Sequence, residues 1–110
     1  MIEDTVSNIE AKIQASDSIK DDRKRELLQM LGTLKSEVGT LAKTHDEQAS
    51  SIANFAQTSA HEAIREKQNQ ESLEHSLKGL RSSVDGFEQS HPKLVQIVNS
   101  ISKTLADLGI

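Results

Sequence analysis

The chain has 110 residues, 35% of them hydrophobic and 27% charged, with two Phe, no Trp, no Tyr and a formal net charge of −4. One domain fits that length, and an aliphatic, charge-rich mixture suits helix bundles better than sheets, which draw on β-branched and aromatic side chains. The thinly spread acidic balance argues against a nucleic-acid surface, and the absence of Cys removes disulfide frameworks and thiolate metal sites. No apolar run approaches the length of a membrane span. The segment Met1-Ile2-Glu3-Asp4 is acidic and lacks an apolar core, unlike a signal peptide. A soluble, cytoplasmic protein without nucleic-acid, membrane or cofactor partners is expected.

In chain order, Ile2, Val6, Ile9 and Ile13 draw a short amphipathic stripe, which predicts an N-terminal helix over residues 1–16. Ser16-Asp17-Ser18 interrupts it, and Ser18 with Asp21-Asp22 reads as the capped start of a second helix. Leu27, Leu31, Leu34, Val38 and Leu41 then recur at intervals of four and three, and the rhythm carries on in register through His45, Ile52 and Phe55. One long helix over 21–67 is predicted, with Lys43-Thr44-His45-Asp46 as the place for a break near 44–46. The Ala- and Ser-rich stretch 49–63 would let a neighbouring helix approach closely.

Gln68-Asn69-Gln70 is the turn candidate of the second half, with Asn69 as the cap of the next helix. From there Leu73, Leu77, Leu80, Val84 and Phe87, then Leu94, Val98, Ile101, Leu105 and Leu108, repeat the four–three spacing. A 3.5-residue repeat keeps one narrow stripe facing a partner helix. The predicted return leg covers 71–90 and 92–108 with a kink at Pro92, Ser90 serving as cap and Gly109 as the final stop.

Reversal near Asn69 makes an antiparallel hairpin. Setting Phe87 against Ile52 pairs Val84 with Phe55, Val98 with Leu41, Ile101 with Val38, Leu105 with Leu34 and Leu108 with Leu31. The expected architecture is therefore all-α: an extended, coiled-coil-like helical hairpin, with the N-terminal helix packed at its base beside 27–34 and 105–108. The upper hairpin, having only two helices, would need a partner. A homo-oligomer is expected, a dimer above all, or a complex with another helical protein.

The segment Phe87-Glu88-Gln89-Ser90-His91-Pro92-Lys93-Leu94, with the ending Leu105-Ala106-Asp107-Leu108-Gly109-Ile110, resembles a family of short, uncharacterised bacterial proteins known as a domain of unknown function. The general plan is similar too, including a Leu-rich helix such as Arg25-Glu26-Leu27-Leu28. The resemblance implies the helical architecture and carries no activity with it.

No catalytic constellation is visible, and no enzyme is expected. The interaction seam consists of Leu27, Leu31, Leu34, Val38, Leu41, Ile52, Phe55, Leu73, Leu77, Leu80, Val84, Phe87, Leu94, Val98, Ile101, Leu105 and Leu108. Against a metal site stands the shortage of ligands: Glu88 and His91 have the Glu-x-x-His spacing of di-iron bundles, and His45 falls in the next seam layer, but such a site needs a second motif and more carboxylates. A pH-responsive adaptor is the other alternative, because histidine changes charge near neutral pH. The plainer reading is a polar layer that fixes register. His61 and His75 read as surface residues, and Arg23-Lys24-Arg25 as a solvated first turn with local ion pairs.

Overall fold

The computed structural model describes residues 2–108, and within them the protein is all-helical. Five helices follow in order: α1 (Ile2–Ala15), α2 (Asp21–Ala42), α3 (Asp46–Ile64), α4 (Gln70–Ser82) and α5 (Pro92–Leu108). Gly109, read as the stop of the last helix, lies outside the described residues. Among the described residues no helix is long and apolar enough to cross a membrane.

Each helix buries one stripe. Val6, Ile9 and Ile13 of α1 are fully covered, as are Leu27, Leu31, Leu34, Val38 and Leu41 of α2 and Leu94, Val98, Ile101 and Leu105 of α5. Carboxylates stand in the first turns of α1 (Glu3, Asp4), α2 (Asp21, Asp22) and α3 (Asp46, Glu47), where they favour the positive end of the helix dipole. Asn69 caps α4, its side chain accepting the Ser72 N–H at 3.0 Å. At the other end, Gln68 donates its side-chain N–H to the carbonyl of Ala63 (2.6 Å) and lies 3.3 Å from that of Leu108, tying the last turns of α3 and α5 together.

The expected extended shape is not what forms. A helix over 21–67 would be about 70 Å long at 1.5 Å per residue, whereas the longest extent of the molecule is 37 Å. The chain breaks at 43–45. Lys43 and Thr44 bond back three residues, to Thr40 and Leu41, and His45 leaves helical geometry at φ −137°, ψ 63°. Thr, His and Asp are weak helix formers, and Asp46-Glu47 is a good start for a new helix. The tertiary gain from this break is large. An open hairpin would leave the small-residue face of α3 in water, while the folded-back helix buries Ala49, Ala53, Ala56, Ser59, Ala60 and Ala63.

That face makes α3 the centre of the molecule, packed against α1, α2, α4 and α5. Small side chains let so many neighbours come close, since the separation of packed helices follows the size of the residues between them. The antiparallel pairing of α2 with α5 is present, with Arg23 beside Asp107 (3.9 Å) and Thr104 beside Met30 (3.9 Å). By contrast α1 does not lie at a base shared with α5. It packs on α2 and α3, and no Cα of α1 comes within 8 Å of one in α4 or α5.

One further boundary differs from the sequence expectation, as do two caps. The helix expected over 71–90 ends at Ser82, because Ser83 turns its hydroxyl onto the Leu80 carbonyl (2.6 Å) and Gly86 adopts φ +93°. That left-handed conformation belongs to glycine. At α5 the first helical residue is Pro92, as expected, but the His91 carbonyl, not that of Ser90, receives the first turn's Val95 N–H (3.3 Å). The start of α2 at Asp21 is where the sequence puts it, but the cap is not: Lys20 is the N-cap and supplies no side-chain bond, while Ser18 bonds to Ser16.

Candidate functional site

Two connections meet in a cluster of three rings. The α2–α3 corner contributes His45, and the α4–α5 connection contributes Phe87 and His91. The rings pack edge to face, at 5.5 Å for His45–Phe87, 5.7 Å for Phe87–His91 and 6.4 Å for His45–His91, with interplanar angles of 82–85°. Such T-shaped contacts place the positive edge of one ring on the negative face of the next. Each histidine is steadied by its preceding neighbour: Nδ1 of His45 lies 2.8 Å from Thr44 Oγ1, and Nδ1 of His91 lies 3.0 Å from Ser90 Oγ. The α4–α5 connection is itself held by the buried side chain of Val84 and by the His91 N–H, which donates to the Phe87 carbonyl at 2.8 Å.

Glu88 does not join the two histidines in a ligand set. Residues 88–90 form a turn, so Glu88 and His91 do not share a helix face, and the Glu88 carboxylate accepts the Gly86 N–H at 2.9 Å. Among the described residues no three His, Asp or Glu side chains converge in a way that could hold a metal ion. His61 and His75 are exposed, His75 on the rim of an open cleft of about 390 Å³ with Glu62, Glu71 and Ser72. Within Arg23-Lys24-Arg25, Arg23 approaches Asp107 and Lys24 donates to the Gln14 carbonyl (3.1 Å), so two of the three basic residues serve the helix packing.

The seam residues lie inside a single chain. All of them are buried except Phe87 and Leu108, which are half-buried, and Phe55, which is 40% exposed. The stripes expected to hold a second copy are thus closed by α1–α5 themselves, which is why the molecule is short and thick instead of extended.

Phe55 departs from its expected place opposite Val84. Its ring lies on the bare backbone of α4 at Gly79, where a Cβ would stand 2.7 Å from Phe55 Cδ1 and nearer still to Cε1. Any other residue at 79 would displace the ring. Ser51, Asn54 and Thr58 of α3 line a shallow cleft of about 260 Å³ beside it. The result is a large aromatic side chain presented at the surface, seated on a glycine between two helices. By spacing alone Phe55 is one more seam residue, and nothing in that spacing joins it to Gly79. The signal that could have joined them is a helix-interior glycine facing an aromatic residue in an otherwise small and polar stretch.

The interior holds a second feature that the sequence did not announce. The hydroxyls of Ser59 (α3) and Ser102 (α5) are fully buried and have no hydrogen-bond partner.

No curated protein and no solved structure matches this chain. A family model described as a domain of unknown function (DUF4404) matches residues 27–110, from within α2 to the end of the chain, and the protein belongs to that family.

Proposed function

We propose that the protein is a non-enzymatic helical interaction module of the cytoplasm, which acts as a homodimer and docks onto other helical proteins through the face around Phe55. The observation that carries this reading is the placement of Phe55. A ring 40% exposed on a rigid helix, with its underside on Gly79 and a polar rim of Ser51, Asn54 and Thr58, has the make-up of an interface anchor. Aromatic anchors surrounded by polar residues dominate the energetics of many protein contacts. With the heptad stripes interior to the closed chain, a docking partner meets outer residues such as these.

The test has two arms. Solution mass by light scattering after size exclusion, with refractive-index detection because the chain has no Trp or Tyr, should give a dimer. A monomer at every concentration would remove self-association from the reading. In the other arm, immobilised wild type and Phe55→Ser are exposed to lysate of the native cell. A partner retained by the first and lost from the second, with both proteins equally folded, is the expected result. Equal retention would refute the role of Phe55.

A second reading, a pH-responsive adaptor, is favoured by the His45–Phe87–His91 cluster. Its two imidazoles come from separate connections and stand 6.4 Å apart, so a change at either ring bears on the joint between the α2–α3 corner and the α4–α5 connection. The reading predicts a change in helicity or mass between about pH 5 and 8 that His91→Gln abolishes. An unchanged wild type would dismiss it.

A further inference from the structure

The helix α1 is attached to the bundle along a single groove, between α2 and α3. It runs antiparallel to α2 in the cleft between α2 and α3. Glu3 lies beside Gly39, Glu10 pairs with Lys35 at 2.6 Å, and the Gln14 carbonyl accepts a hydrogen bond from Lys24. Val6, Ile9 and Ile13 are fully buried there, yet α1 approaches neither α4 nor α5. It also lies wholly outside the residues that match the family. Its departure would therefore strip one groove and leave the contacts among α2, α3, α4 and α5 in place.

The turn that holds α1 down is weakly built. Residues 16–20 contain neither Gly nor Pro, so nothing in their covalent structure forbids helix. Their conformation rests on the Ser16 N–H, which donates to the Ile13 carbonyl at 3.2 Å, on exposed bonds between Ser16 and Ser18, at 3.0 Å between hydroxyls and 3.4 Å from the Ser18 N–H, and on the burial of Ile19. Lys20, the N-cap of α2, provides no side-chain acceptor for the unpaired N–H groups of the first turn. The spacing of the flanking stripes runs through the turn without a slip: Ile13, Ser16, Lys20, Arg23 and Leu27 stand three, four, three and four apart. If 16–20 became helical, α1 and α2 would form one helix over 2–42, and the uncapped donors of α2 would enter ordinary helix bonds.

We infer that α1 is exchanged between two copies of the chain, each seating its α1 in the α2/α3 groove of the other while the turn at 16–20 opens into continuous helix. This rests on the homodimeric reading above and names the surface that makes the dimer. The occupant is a second copy because the groove is already complementary to this helix, down to the carboxylate that meets Lys35. Exchange remakes every α1 contact in trans, so the balance between closed monomer and exchanged dimer is set by the turn and by concentration.

The chain has no cysteine, which makes cross-linking unambiguous. In full-length protein carrying both Glu10→Cys and Lys35→Cys, a short bis-maleimide should join two chains, and an equimolar mixture of the two single variants should yield a cross-linked heterodimer. Lengthening the turn with Gly-Gly-Ser after Ser18 should lower the mass measured by light scattering from dimer to monomer, with the helical content of the bundle retained. A wild-type dimer whose double variant cross-links only within a chain would overturn the exchange and leave self-association standing by another face. A wild type that is monomeric at every concentration would overturn both.

Discussion

Replacing Ser59 with Ala should make this protein more stable, against the general trend for core substitutions. Serine inside a helix ordinarily satisfies its hydroxyl by donating to the carbonyl four residues earlier, as Ser76 does here to Ser72 at 3.0 Å. Thr33, Thr40 and Thr58 do the same. Ser59 does not, and with 0% exposure its hydroxyl cannot reach bulk water. A buried polar group without a partner costs about 1–3 kcal/mol. Alanine keeps the Cβ, removes a single oxygen and gains roughly 0.5 kcal/mol of helix propensity. The expected net gain is about 1–2 kcal/mol, or roughly 4 °C in Tm per kcal/mol for a chain of this size. Thermal and urea unfolding followed by far-UV circular dichroism, suited to a protein without Trp or Tyr, would measure it. Ser102→Ala, 1% exposed and equally unpartnered, should behave alike. If Ser59→Ala melts below wild type, the hydroxyl has a partner, such as a bound water, and the reasoning fails.

Other substitutions probe the remaining parts of the fold. Gly32 sits mid-helix in α2 with open space where a Cβ would go, so Gly32→Ala should stabilise by about 0.5–1 kcal/mol in urea unfolding. Gly86→Ala should destabilise by about 1–2 kcal/mol in the same assay, because φ +93° places the new Cβ against the backbone. Asn69→Ala removes the cap of α4, and a loss of about 1 kcal/mol is expected; an unchanged midpoint would mean that the Ser72 N–H bond contributes nothing. Gly79→Ala should swing Phe55 off α4, seen as loss of ring-current shifts at residue 79 and its neighbours by NMR. Stability should change little, since a helix-propensity gain of about 1 kcal/mol offsets the lost ring contact.

Much of the local structure was readable from residue order. The apolar stripes of α1, α2 and α5 lie where the periodicity put them, because burial of a helix face demands spacing of three and four whatever the partner is. Asn69 was legible as a cap for the same kind of local reason, since its side chain needs only the next few backbone N–H groups. Family membership was legible in part: a domain of unknown function was the expected resemblance, and a model so described matches residues 27–110. The break before Asp46 and the stop at Ser82 had signals, Thr-His-Asp and Asp85-Gly86, but weak propensities do not decide between one long helix and two short ones.

That decision was made by tertiary packing. A heptad stripe is satisfied equally by a second chain or by the same chain folded back, and no single residue distinguishes the two. The Ala- and Ser-rich face of α3 tips the balance: its small side chains let four helices crowd around it, so the seam closes within one molecule. The same crowding presents Phe55 on Gly79, brings His45 and His91 from separate connections into ring contact and strands the hydroxyls of Ser59 and Ser102. These features depend on residues far apart in the chain meeting at particular distances, and spacing along one helix carries no record of that.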